Sequence, residues 1–185
     1  MSVFKTRWVV LKTWKYSENE VYYKIFFESY GTLTVKKRKK VREKPLDIWY
    51  LVACEIITHS DRKVHTIGNI KILSFFNSEQ KAYKLIENFM KILLRIYKEI
   101  PEGIPHKEIY DIISYLVEHE KTMGQDILLL SHLKIISYLW NLSEEHTDQQ
   151  VRKTLSFIHK YKHKDIIKLW EIPEELREYL SKIAI

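Results

Sequence analysis

The chain has 185 residues, 45% hydrophobic and 13% aromatic, with 4 Gly, 4 Pro, one Cys and a net charge of +7. These values exclude a disordered or low-complexity chain, a disulfide framework and a cysteine-rich zinc module, and the length fits one or two domains. No apolar run approaches the roughly 18 residues of a membrane span. The opening MSVFKTRWVVLKTWK is too broken by cations for a signal peptide, and one cysteine fits a reducing compartment, so a soluble, untargeted, cytoplasmic protein is expected.

In chain order, RWVVLKTW and EVYYKIFFES read as strands, with Val21, Tyr23, Ile25 and Phe27 on one face and Tyr22, Lys24, Phe26 and Glu28 on the other. Gly31 marks a tight turn before GTLTVKK, whose Leu33 and Val35 point inward. PLDIWYLVACEIITHS is long enough for a helix, but its Trp, Tyr, Val and Ile content favours a strand, and VHTIGNIKILSFF is the fifth. Five short strands predict a small closed barrel, because closure removes aggregation-prone edges.

From Ser78, a candidate cap, the period changes. Leu85, Ile86, Phe89, Leu93 and Ile96 place a helix over Glu79 to Lys98, and PEGIP ends it. Ile109, Ile112, Ile113 and Leu116 mark a second helix. Asp126 to Trp140 is apolar around most of its circumference, as in a central bundle helix, and Val151, Leu155 and Ile158 mark a fourth. DIIKLW is a short segment, and Pro173 at a first helical position opens EELREYLSKIA. The expected fold class is α+β: a five-stranded barrel of the oligonucleotide-binding (OB) type over residues 1–77, then an all-helical domain over 78–185.

Catalytic signatures are missing from this pattern. Gly31, Gly68, Gly103 and Gly124 are too dispersed for a phosphate loop or a dinucleotide fingerprint. His159 and His163 have helical i, i+4 spacing but no clustered Cys or carboxylate to complete a metal site, and EHEK around His119 lacks a second histidine. Cys54 lies mid-strand in apolar surroundings, where a thiol is inert. Glu18 with Glu20, and Glu144 with Glu145, read as solvated turn residues. The expectation is a protein that is not an enzyme and needs no cofactor or metal.

The charge is polarised. Residues 1–45 hold twelve Lys and Arg against four carboxylates, a net +8, leaving the remainder at −1. Seven of the cations, Lys36, Lys37, Arg38, Lys39, Lys40, Arg42 and Lys44, fall within nine positions at the end of the third strand. Lys12 and Lys15 lie in the first hairpin loop beside Trp14 and Tyr16, and Arg62 and Lys63 in the loop before the fifth strand. Cations beside aromatics are the two ingredients of single-strand binding, phosphate neutralisation and base stacking. These eleven cations are the candidate DNA-binding residues, with Trp14 and Tyr16 as candidate stacking platforms.

The order of features resembles the bacterial recombination mediator RecO family over nearly the whole chain. The likeness runs through VVLKTWKYSENEVYYKIFFESYGTLTVKKRKKVRE, continues through KPLDIWYLVACEIITHSDRKVHTIGNIKILSFF, and includes LLLSHLKIISYLWNL, similar to the family's C-terminal helix ending near a zinc module. Here SEEHTDQQ replaces the four zinc cysteines of many members, Lys37 stands where a glycine is usual, and Glu20 where Asp is common.

The resemblance implies a DNA repair and recombination mediator. Such a protein binds single- and double-stranded DNA, anneals strands coated with single-strand binding protein, and with RecR assists RecA loading near the nucleoid. Arg152, Lys153, Lys160, Lys162 and Lys164 are the candidate site for the acidic, aromatic-ended tail of the single-strand binding protein. An RNA-binding barrel module and an adaptor that binds no nucleic acid are the alternatives.

Overall fold

The structure is a computed structural model that describes residues 2–15, 17–38, 46–58, 64–140, 148–168 and 172–184. Five strands, β1 (Ser2–Lys15), β2 (Glu20–Phe27), β3 (Gly31–Arg38), β4 (Tyr50–Thr58) and β5 (His65–Phe75), close into a barrel in the order β1-β2-β3-β5-β4. All neighbours are antiparallel except β3 and β5, which meet in parallel through Val35 with His65 and Lys36 with Thr66. This is an OB-like barrel, followed by helices, and the chain is α+β as the sequence predicts.

The alternation read in β2 is what fills the barrel. Val21, Tyr23, Ile25 and Phe27 are at most 2% exposed and meet Trp8, Val35 and Val52, all fully buried. Each large side chain removed from water contributes roughly 2 kcal/mol, so the inward row is a main source of the barrel's stability. Phe26, on the outer face, is also buried, because Tyr110 of α2 (Lys107–Glu118) packs edge-on against it with ring centroids 6.0 Å apart.

β1 is longer than RWVVLKTW suggests. Its first half pairs with β4 from Ser2 opposite Thr58, and its second half pairs with β2 to Lys15 opposite Val21. The register slips between Val10 and Lys12, leaving Leu11 as the extra residue of a bulge. Val10 pairs with inward Ile25, yet Thr13, three residues on, pairs with inward Tyr23. The bulge has exchanged the faces, so that Lys12 and Trp14 lie on the outer one.

Beyond the barrel, a 3-10 turn at Ser78–Gln80 precedes α1 (Tyr83–Glu99). Ser78 therefore does not cap that helix; the first amides, of Leu85 and Ile86, bond to the carbonyl of Ala82. A second 3-10 turn (Glu120–Thr122) leads to α3 (Gln125–Leu139), followed by α4 (Gln149–Lys160), α5 (His163–Ile166) and α6 (Glu174–Ile183). Pro173 sits one position earlier than expected, at the N-cap of α6, where its carbonyl accepts from Arg177 N.

Among the described residues no helix is long and apolar enough to cross a membrane. By contacts the chain divides into one unit of residues 1–78 with 93–120 and a second of 79–92 with 121–185, a line different from the change of element type at 77/78. In the second unit α3 is central: every residue from Leu128 to Ser137 is buried. Leu129, Leu130, Leu133 and Ile136 pack with Val151, Leu155 and Ile158 of α4 and Leu176 and Leu180 of α6. Asp126 in the first turn of α3 accepts both Nε and a terminal nitrogen of Arg177 on α6 at 2.6 and 3.0 Å, a two-pronged tie between the helices.

The PEGIP segment does more than end α1. Glu102 bridges to Gly31 and Thr32 at the start of β3, Gly103 N donates to Thr32 O, and the Thr32 hydroxyl donates to Ile100 O. The backbone comes so close that a Cβ on Gly31, whose φ is +66°, would lie 1.9 Å from the Ile104 carbonyl oxygen. Gly31→Ala therefore combines a left-handed backbone penalty with a clash against main chain, an expected loss of about 3 kcal/mol read as a lowered urea midpoint. An unchanged midpoint would show that this clasp is not formed.

Candidate nucleic-acid interface

Three strands bring the first-hairpin residues and part of the basic run to one outer face. Trp14 of β1 pairs with Tyr22 of β2, which pairs with Lys36 of β3, and Lys36 pairs in turn with Thr66 of β5. The adjoining row is Lys12, Lys24 and Thr34. The Trp14 and Tyr22 rings are stacked, with centroids 6.0 Å apart and planes inclined by 27°.

The cations on this face differ in their partners. Lys36 lies 3.2 Å from Glu20, and Lys24 is paired with Glu102, which also accepts from the Thr34 hydroxyl at 2.8 Å. These donors hold the Glu102 carboxyl below its usual range, although partial burial acts in the opposite direction. Lys12 is exposed and, among the described residues, meets no carboxylate. Its ammonium sits 5.1 Å from the centre of the Tyr97 ring and 5.9 Å from that of Trp14, with the Tyr97 hydroxyl at 3.4 Å. Lys12 is thus a cation held on two aromatic faces with its outer hemisphere open to an anion.

The other expected residues divide clearly. Arg38 is exposed on the same side as Lys36, opposite Glu20, whereas Lys37 pairs with inward Val21 and belongs to the other side of β3. Lys12, Trp14 and Lys15 lie within β1 rather than in the hairpin loop, because the strand runs on to Lys15 opposite Val21. Tyr16, Lys39, Lys40, Arg42, Lys44, Arg62 and Lys63 lie outside the described residues, as do Glu144 and Glu145. The face also recruits two residues that sequence reading did not select, Lys24 and Tyr97, and sets Tyr22 beside Trp14. Tyr22 and Lys24 carried a signal, since the alternation put them on the outer face of β2, but Tyr97 comes from α1, and nothing local ties it to Lys12.

A hollow of about 900 Å³ elsewhere in the first unit is lined by residues of β1, β4, β5 and α2. Its charges are mixed, with Arg7 paired with Glu118 and Glu55 taking Lys5 at 3.9 Å and the Asn69 amide at 2.6 Å. The Tyr110 phenol beside it is raised by burial, with the Ser114 hydroxyl acting the other way. Cys54 points into the barrel, where burial pushes its thiol up to about 11 against the lowering effect of the Trp8 indole N–H, so it is no thiolate at neutral pH.

In the second unit Arg152, Lys153, Lys160, Lys162 and Lys164 are all exposed, on α4, in the turn after it and on α5. His159 and His163 do not share a helix face, because α4 ends at Lys160 and His163 begins α5. Lys134, 3% exposed on α3, donates to the carbonyls of Ile158 and His159 at 2.8 and 2.9 Å and so caps the C-terminus of α4. Desolvation lowers its pKa. The Ser131 hydroxyl donates to Ile127 O at 2.6 Å, which leaves its lone pair for His163 Nε2 at 2.8 Å, and the neutral imidazole donates there.

No protein-family model matches the chain, and no curated protein matches its sequence. What it resembles in function rests on the residues above.

Burial first and the Lys134 charge second push His163 down to about 4 from its ordinary 6.5. The unfolded chain therefore binds the extra proton between those values, and the stabilisation is complete above pH 6.5 and lost as pH falls towards 4. A loss on the order of 3 kcal/mol is expected over that interval, measured as the difference between the unmodified chain and His163→Gln in urea unfolding across pH. Parallel pH curves for the two proteins would remove His163 as the acid-sensitive group.

Proposed function

We propose that the outer face of β1, β2 and β3 binds single-stranded nucleic acid, and that the chain works as a DNA repair and recombination mediator of the RecO type, by binding rather than by catalysis. The observation that carries this reading is the Trp14 and Tyr22 stack set between Lys12, Lys24 and Lys36 on one face of a closed barrel. Bases have a π-face to lay on that stack whatever their identity, and phosphates have Lys12 immediately and Lys24 and Lys36 on displacing Glu102 and Glu20. No helix is offered to a groove here, which fits binding without sequence preference.

Annealing follows from electrostatics. Two complementary strands repel, and a segment of net +8 that releases their counterions lowers that repulsion without nucleotide hydrolysis. The feature order shared with the RecO family supports single-strand binding protein, RecR and, indirectly, RecA as partners, with double-stranded DNA a further ligand. The expected result is faster annealing of complementary DNA strands that are each already coated with single-strand binding protein, in the absence of ATP. A preference for RNA with no effect on coated DNA would favour the RNA-binding alternative, and no nucleic-acid binding near physiological salt would favour the adaptor.

Two binding measurements test the face itself. If about six phosphates are neutralised, log affinity for a single strand falls against log salt with a slope near −4. Trp14→Ala or Tyr22→Ala should each weaken binding about tenfold with the slope unchanged, because stacking carries no net charge. A slope near zero, or aromatic variants that bind as tightly as the unaltered chain, would remove this face as the site.

A further inference from the structure

The barrel face does not use the cations of α4 and the segment after it. Between residues 149 and 168 stand Arg152, Lys153, Lys160, Lys162, Lys164 and Lys168, with Asp165 the only acid. All six cations are exposed, and among the described residues none has a carboxylate partner. Elsewhere in the same unit Lys91 is paired with Glu87 and Arg177 with Asp126.

A helix end often gathers cations because its last carbonyls are negative. Here that role is taken: the buried Lys134 ammonium already satisfies Ile158 O and His159 O. Lys160, Lys162 and Lys164 are therefore surplus to the cap, and three like charges in five positions repel each other. The arrangement along α4 is regular. Lys153 and Lys160 are seven residues apart, two turns on one flank, about 10 Å along the axis. At the end of that row Tyr161 is exposed, tilted against Phe157 at 4.5 Å, with the Lys160 ammonium 5.9 Å from its ring centre. Cation and aromatic recur together, as Lys12 and Trp14 do on the barrel.

We propose that this flank is a second binding surface for a nucleic-acid backbone, so that one chain holds two strands, one on each unit. The inference rests on the function proposed above for the barrel. Charge complementarity identifies the occupant as a polyanion. An acidic peptide with an aromatic end needs an apolar groove beside the lysines, whereas the apolar residues of α4, Val151, Leu155 and Ile158, are buried in their own core. What the flank presents is a ridge of charge with one aromatic, which suits repeated phosphates.

The test uses the full chain with two oligothymidylates that cannot pair, one carrying a donor dye and the other an acceptor. Energy transfer reports two strands held together, and anisotropy reports binding of one. Replacing Lys153, Lys160, Lys162 and Lys164 with Glu should lower transfer at least tenfold and make the salt slope of second-strand capture shallower by about 3, while the tight binding of one oligonucleotide stays within about threefold. Should the Glu version fail to fold by circular dichroism, the Gln version of the same four positions gives the same readout with a smaller slope change. Transfer and slope unchanged in a folded variant would overturn the proposal, as would a variant altered only in binding an acidic, aromatic-ended peptide.

Lys12→Glu with Trp14→Ala, measured in parallel, separates the two readings. Loss of binding there, with the helix variant unaffected, overturns the second surface and keeps the barrel. Loss only in the helix variant keeps the second surface and removes the barrel as a site. No oligothymidylate bound by the unaltered chain overturns both.

Discussion

The bulge at Leu11 determines which chemistry the barrel displays. Strand side chains alternate strictly, so without an extra residue the parity that buries Trp8 and Val10 would carry Lys12 and Trp14 into the barrel as well. One unpaired residue reverses the alternation. Lys12 then stands beside Lys24, and Trp14 beside Tyr22, while Thr13 takes the inward position against Tyr23. β2 pairs with β1 on both sides of the bulge, from Trp8 to Val10 and from Lys12 to Lys15, while β4 pairs with Ser2 to Val9, so the irregularity changes which β1 side chains face outward without ending either pairing.

Charge on that face is held in check rather than merely accumulated. Glu20 and Glu102 occupy Lys36 and Lys24, and Tyr97 and Trp14 cradle Lys12. Partly exposed pairs of this kind contribute little to stability, typically 0 to about 1 kcal/mol each. In the helical unit the arrangement is the reverse: Lys134 is buried and desolvated, bonded to two backbone carbonyls with its ammonium 4.6 Å from the centre of the Tyr138 ring.

Much of this was legible in advance. The alternation of Val21 through Phe27 located the inward face of β2, and the apolar character of Asp126 to Trp140 around most of its circumference located the central helix, because the pattern that burial imposes survives in the order of residues. Two boundary readings went astray for a local reason. Ser78 is a good cap by residue type, but the chain turns once as a 3-10 segment first, and Pro173 caps α6 rather than opening it. Residue type fixes such signals only to within a position or a turn.

By itself the sequence determined the class of the fold, the strand and helix order, the inertness expected of Cys54 and the concentration of positive charge before residue 45. Each depends on composition or on a short period, and both are properties of neighbours along the chain. Tertiary structure alone decided that Lys12 meets Tyr97, that Glu102 reaches Lys24 and Thr34, that Gly31 must lack a side chain beside Ile104, and that Lys134 caps a helix other than its own. Those contacts join residues from about 24 to more than 80 positions apart. Their geometry follows from strand register and helix packing, which no local pattern encodes.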